Sequence, residues 1–205
     1  FQPVSNPEIP SGTGSAIDRF VETRMAEKDL AISAEATPRV LARRLHYAIT
    51  GLPPSPEALD RFEQDVATSD VDAAMSKLVD DLLESPGFGE RWARHWMDWV
   101  RYAESHGSEG DPPIPNAYHY RDYLIRALNL DLPYDQFITE HVAGDLLSTP
   151  RSHPDQRFNE SVIGSGFWWF HEATHAPTDV LADEADRMSN QIDVFGKAFL
   201  GLTIS

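Results

Sequence analysis

A chain of 205 residues is long enough for one domain that buries a large apolar core. Its 33 acidic and 17 basic side chains leave a formal net charge of −16, which argues against nucleic acid or an anionic membrane surface as a partner, since both need a basic face. No apolar run reaches the length of a membrane span, and the absence of cysteine excludes disulfides, thiolate catalysis and cysteine-ligated zinc within this chain.

The sequence predicts an all-α fold. Residues 1–14 are rich in proline, glycine and serine and predict an extended leader. Beyond them, apolar residues recur at spacings of three or four, with serine, threonine or proline at the starts of segments. This pattern predicts about eight helices, at 16–28, 38–49, 56–66, 71–84, 90–102, 116–128, 132–146 and 178–200. No stretch alternates with period two, so we expect a single compact helical domain over 15–205.

Two shorter stretches bear on this architecture. The segment 157–170 is helical in its first half, and its Gly-Phe-Trp-Trp-Phe end is left open between extended and helical structure. The helix over 90–102 carries Trp92, Trp96 and Trp99 at helical spacing. Because tryptophan buries more area than any other side chain, this helix is predicted to lie at the centre of the core.

Three clusters of residues are candidates for chemistry. His171 and His175 are four residues apart and would share one face of a helix, where they could share a metal ion. Pro177 favours a turn instead, so hydrogen bonding is the preferred interpretation of this pair.

The second cluster is acidic, and it opens the last predicted helix. Asp179, Asp183 and Asp186 fall on one helical face and could hold a cation through oxygen ligands. Capping and salt bridges are the alternative, because carboxylates are favoured in a first helical turn.

The third cluster lies on the tryptophan helix, where charged residues flank His95. They indicate either a structural network of ion pairs or an inward imidazole that serves as a ligand or proton-transfer group. The sequence contains no nucleophile elbow, phosphate loop or dinucleotide fingerprint.

Several motifs, taken in order, resemble a known family. They are FQPV at 1–4, IDRF at 17–20, LHYAITGLPPSP at 45–56, SPGFGERWARHWMDWVRY at 85–102, YRDY at 120–123, LPYDQF at 132–137, AGDLL at 143–147 and FLGLT at 199–203. Together they resemble the planctomycete-type cytochrome-associated domain of unknown function, domain of unknown function 1549, over nearly the whole chain. The motifs at 166–169, 173–175 and 183–187 resemble one branch of it.

The resemblance implies an exported, extracytoplasmic (periplasmic) protein of several domains, of which this chain is an internal piece. In the family, FLGLT runs within a few residues into a Cys-x-x-Cys-His motif for haem c. This chain stops at Ser205, before any such motif, so it cannot attach haem c by itself. Haem c is expected in the full-length protein, with His95 and His175 as candidate distal ligands.

Three functions remain open. The chain is a module that supports haem-linked electron transfer, or a structural docking module whose partners are other domains or subunits of a larger extracytoplasmic assembly. The third is a polysaccharide-acting enzyme, which would need paired carboxylates across a cleft, with Asp98, Glu104 and Asp111 as candidates.

Overall fold

A computed structural model describes residues 3–107, 110–171 and 176–203. The chain divides after Thr37 into two compact units. All regular structure in the described ranges is helical, and extended pairing there is limited to two isolated bridges, Ser105 with Pro113 and Ser152 with Asn159. The all-α prediction is confirmed. Among these helices, none combines the length and apolar character that a membrane crossing requires.

The first unit contains one helix, α1 (Ala16–Ala26). Ser15 and Asp18 form a reciprocal capping box, in which each side chain accepts a hydrogen bond from the other residue's backbone N–H. Residues 3–14 contain neither helix nor strand, and α1 has no buried residue. The assignment of 15–205 to a single domain stays a prediction.

The second unit opens with three short helices: α2 (Pro38–Ile49), α3 (Pro56–Thr68) and α4 (Val71–Leu83). Pro38 and Pro56 stand at the first helical position, where the missing N–H has no cost. The three helices pack around a small core of their own, formed by Ala42, Phe62 and Ala74. The boundaries predicted for these helices agree with the structure to within two residues.

Two further helices, α5 (Pro86–Trp99) and α6 (Tyr118–Asn129), cross closely and carry the main core. The stretch Ser85-Pro86-Gly87 is typical of a turn and predicts one before this helix. That prediction is wrong, since Pro86 is the first residue of α5 and the helix starts four residues before the predicted position. Gly89 explains the close crossing. A Cβ atom there would lie 2.5 Å from the backbone oxygen of Ile125 on α6, so no larger residue fits without a shift of backbone.

The remaining elements are α7 (Tyr134–Ala143), the short α8 (Ser161–Gly164), a 3-10 turn (Ser165–Trp169), α9 (Val180–Phe195) and a π-helical turn (Gly196–Leu200). The Gly-Phe-Trp-Trp part of the stretch left open by the sequence is helical, in this 3-10 turn, whereas Phe170 lies beyond the turn and is not helical. Asparagine is a common N-cap, and Asn116 is therefore predicted to cap the helix at 116–128. That prediction is wrong, since Asn116 has a positive φ of 64° and precedes α6 by two positions, and no side chain caps that helix.

The tryptophan helix is central, but only one of its tryptophans is buried. Trp96 is 9% exposed, whereas Trp92 and Trp99 are 44% and 61% exposed. The expectation that all three fill the core is therefore wrong for two of them. The core side of α5 is formed by Trp96 together with two smaller residues, Ala93 and Val100, the second just beyond the helix.

A chain of buried hydrogen bonds joins α5, α6 and α7. The Trp96 indole N–H donates to the Tyr120 hydroxyl at 3.0 Å, and that hydroxyl lies 2.9 Å from His141 Nε2. His141 Nδ1 lies 2.8 Å from the backbone oxygen of Phe137. Because a carbonyl can only accept, Nδ1 carries the proton, and Nε2 must accept the Tyr120 hydroxyl proton. Every donor and acceptor along the chain is thus matched.

Tyr120→Phe should destabilise the protein by about 1–3 kcal/mol, because it leaves the Trp96 N–H and His141 Nε2 buried without a partner. Urea unfolding, followed by circular dichroism, measures the loss. The matched control is Tyr118→Phe on the same helix, since Tyr118 is 44% exposed and water can solvate its hydroxyl. Equal stabilities for the two variants would contradict a role for the Tyr120 hydroxyl.

Candidate functional site

The exposed tryptophans border an apolar groove of about 500 Å³, here called the Trp groove. Its lining is aromatic (Trp92, Trp96, Trp99, Tyr134, Phe137), aliphatic (Ala127, Leu128, Leu132) and, at one position, an imidazole (His95). This size and composition are typical of small-molecule and cofactor sites, in which a few polar groups orient a ligand within an apolar wall.

The sequence predicts His95 as a candidate metal ligand. It lies on α5, half-buried, and its ring centroid is 5.3 Å from that of Trp92. Among the described lining residues of the Trp groove, it is the one imidazole, and imidazole is the commonest metal ligand among side chains. The Trp groove therefore combines apolar walls, which exclude water, with one imidazole that could bind a metal or a polar group of a ligand.

A second cavity, of about 430 Å³, is here called the His106 cavity. Three polar side chains line it, His106, Asn116 and His119. Most of the wall is apolar and consists of Ile114, Pro115, Tyr120, Ile163, Trp169 and Phe170. The sequence offered no clear signal for this site, because its residues come from three separate segments, at 106, 114–120 and 163–170.

The two cavities meet at the buried hydrogen-bond chain. Trp96 lines the Trp groove, and Tyr120, whose hydroxyl accepts from Trp96, lines the His106 cavity. Only that one hydrogen bond separates a wall residue of the first site from a wall residue of the second.

His141, at the end of this chain, is fully buried. Burial lowers the pKa of His141 to about 4, against the smaller opposing effects of the Phe137 carbonyl and the neighbouring Glu140. The imidazole is therefore neutral at pH 7, in agreement with its position as a hydrogen-bond acceptor at Nε2.

A buried ion pair lies beside His141, and the sequence analysis missed it. Glu140 is fully buried and accepts two hydrogen bonds from the Arg151 guanidinium, each of 2.7 Å. The hydroxyls of Tyr123 and Ser161 also donate to it, each at 2.9 Å. Burial raises the pKa of Glu140, but these donors outweigh it and hold the pKa below its ordinary value. A glutamate next to a histidine in an apolar helix was the available signal.

In the structure, the first residue of the acidic cluster is a helix cap. Asp179 caps α9, and its carboxylate accepts from the backbone N–H groups of Leu181 and Ala182. No group of three or more potential metal-ligating side chains occurs in the parts of the chain that the structure describes. Cation binding by Asp179, Asp183 and Asp186 gains no support from this geometry and stays a prediction. His175 lies outside the described residues.

The candidate carboxylates of a polysaccharide-acting site do not line either cavity as its described residues define it. Asp98 is exposed on α5. Glu104 accepts a hydrogen bond from the Tyr102 hydroxyl at 3.0 Å, and Asp111 accepts one from the Gly107 N–H at 2.8 Å. These contacts are local.

Comparison with protein families gives one match. The model of PSCyt2, described as "Protein of unknown function (DUF1549)", matches residues 16–205. The chain belongs to this family. No curated protein and no solved structure shows significant similarity to it. The family resemblance of the sequence motifs is thereby confirmed, and the helices that line both cavities lie within the matched range.

The stability of this domain should fall as the pH decreases from 7 to 5. His141 has a pKa of about 4 when folded and an ordinary value of 6.5 when unfolded, so only the unfolded state gains a proton in this window. The expected loss is about 2 kcal/mol, measured as the change in the free energy of unfolding in urea.

The comparison that isolates this effect is His141→Asn, which removes the titrating ring. Its free energy of unfolding should be lower at pH 7 and should depend less on pH between 7 and 5. Glu140 does not contribute to the change between pH 7 and 5. Its pKa is lowered in the folded state, so the stability that it contributes is lost only when the pH falls below the ordinary pKa of 4.5. Parallel pH profiles for the two proteins would contradict the assignment.

Proposed function

We propose that this chain is the helical module of an extracytoplasmic cytochrome c-type protein, and that its Trp groove encloses part of a haem group in the full-length protein. The resemblance to the cytochrome-associated family motivates the proposal. The observation that carries it is structural: a single imidazole, that of His95, lies on the wall of an otherwise apolar groove of about 500 Å³.

The path of the chain supports the same proposal. Phe199 belongs to the FLGLT motif, after which the family has its haem attachment motif. Its ring packs against Trp96 with centroids 5.5 Å apart, and Trp96 is part of the groove wall. The chain that continues from this motif therefore starts close to the groove, and a haem attached a few residues later would reach it.

Each side chain of the groove has a role in this proposal. The tryptophans and leucines exclude water from a flat apolar ligand and stabilise it by burial of its surface. His95 would bind the iron through one ring nitrogen, which would fix the orientation of the ligand. Bound haem supplies one-electron chemistry, and the apolar wall influences its potential by excluding solvent.

The test is an absorption spectrum of the full-length protein, purified with its native haem content. His95→Ala should shift the Soret band and weaken the visible bands of the low-spin state, because one strong-field ligand is lost. His119→Ala is the matched control, since it removes an imidazole from the other cavity and should leave the spectrum unchanged. A native protein without a Soret band, or identical spectra for His95→Ala and wild type, would overturn the proposal.

A second function, docking within a larger extracytoplasmic assembly, is favoured by the exposure of Trp92, Trp99 and Tyr134 around the groove. Tryptophan and tyrosine are over-represented among the residues that dominate the energy of protein interfaces. In this proposal the groove receives an apolar side chain of a neighbouring domain or subunit, and any haem belongs to that neighbour.

One pair of variants separates the two functions. Trp99→Ala alters the groove, while Trp169→Ala alters an equally exposed tryptophan elsewhere. If the groove is a docking surface, Trp99→Ala should lower the mass of the native assembly in analytical ultracentrifugation and leave the haem spectrum unchanged. If it encloses haem, the spectrum should change and the mass should not. An assembly that stays intact in Trp99→Ala counts against docking.

A further inference from the structure

We infer that the His106 cavity is a second ligand site, which binds a small planar aromatic molecule with a free hydroxyl group, that is, a ligand of the phenol class. This site is separate from the proposed haem groove and does not depend on it. The inference follows from the tautomer of His106 and from the character of the wall.

The tautomer of His106 is set by its backbone contact. His106 Nδ1 lies 3.2 Å from the backbone oxygen of His171. A carbonyl oxygen only accepts, so Nδ1 carries the proton and the neutral ring has its lone pair at Nε2. His106 is half-buried and is part of the cavity wall. It therefore offers a ligand one hydrogen-bond acceptor in a fixed orientation, and this acceptor selects for a donor such as a hydroxyl group.

The rest of the wall defines the body of the ligand. Tyr120, Trp169 and Phe170 provide aromatic surfaces, and Ile114 and Ile163 add aliphatic ones. Aromatic rings pack well against such surfaces in offset or edge-to-face geometry. Contact with this wall therefore stabilises a planar ring more than an extended or branched aliphatic group of the same size.

The same wall argues against two other classes of ligand. No Asp, Glu, Lys or Arg is among the described lining residues of the His106 cavity, so an ionic ligand would lose its hydration without gaining a counter-charge. A sugar would bring more hydroxyl groups than His106, Asn116 and His119 can pair against a wall that is otherwise mostly apolar, and each unpaired hydroxyl is costly to bury. An aromatic ring with one hydroxyl group needs only one such partner.

The cavity is also large enough for this ligand. Its volume of about 430 Å³ lies at the lower end of the range for small-molecule sites and has room for a substituted ring. Trp169, at 67% exposed, stands at the solvent side of the wall and can cover one face of the ring after entry. Its remaining exposure in the free protein is the apolar area that binding would bury.

The experiment compares two probes that differ by one methyl group, 4-methoxyphenol and 1,4-dimethoxybenzene. The first has a hydroxyl donor and the second has none, while the ring and its apolar surface are nearly the same. Isothermal titration calorimetry on the intact chain should show 4-methoxyphenol binding about tenfold more tightly, the ratio expected for one buried hydrogen bond. Equal affinity for the two probes, or no binding of either, would overturn the inference.

Two variants connect the preference to particular residues. His106→Phe keeps an aromatic ring but removes the acceptor, so the tenfold preference should disappear. Trp169→Ala, at an exposed position that the fold tolerates, should weaken both probes by a similar factor and preserve the preference. His95→Phe, in the other groove, should change neither affinity. An unchanged preference in His106→Phe would show that the hydroxyl does not contact this residue.

This experiment does not use haem. Probe binding without any effect of His95→Ala on the haem spectrum would support the second site and reject the proposed haem groove. No probe binding, together with a clear effect of His95→Ala on the haem spectrum, would support the proposed haem groove and reject the second site.

Discussion

A single phenol hydroxyl holds the three central helices of this domain together. Tyr120 on α6 accepts from Trp96 on α5 and donates to His141 on α7, so three helices share one buried oxygen atom. The geometry leaves no choice of proton position, since the Phe137 carbonyl fixes the imidazole and the imidazole fixes the hydroxyl. Buried polar chains that are fully satisfied favour one arrangement of the helices over others, because any shift leaves a donor or an acceptor unpaired.

Neighbouring residues on α6 and α7 form a second polar layer. Tyr123 lies one helical turn after Tyr120 on α6 and donates to Glu140, the residue before His141 on α7. Arg151 then connects this carboxylate to the loop before α8. A buried ion pair of this kind need not add net stability, since desolvation offsets much of the attraction. Glu140 without Arg151 would be a buried charge with no counter-charge, which disfavours positions of the loop that remove Arg151 from it.

The sequence predicted the helices well and the sites only in part, for physical reasons. Capping residues and apolar spacing act locally, so the ends of α2, α3 and α4 could be predicted from the sequence. The spacing of Trp92, Trp96 and Trp99 shows that they share a face but not whether another helix covers it, and in the structure a groove lies there. His95 was found because it lies on that face. The Glu140–Arg151 pair and the His106 cavity combine residues from distant segments, and one sequence gives no distances between segments.

Tyr120 also lies between the two cavities. Its ring is part of the wall of the His106 cavity, while its hydroxyl accepts from the Trp96 indole in the wall of the Trp groove. If a molecule in the His106 cavity displaced this ring, the hydrogen bond would transmit the displacement to the indole. An occupant of one cavity would then change the affinity of the other cavity for its own occupant. By thermodynamic linkage, the second occupant would change the affinity for the first by the same factor.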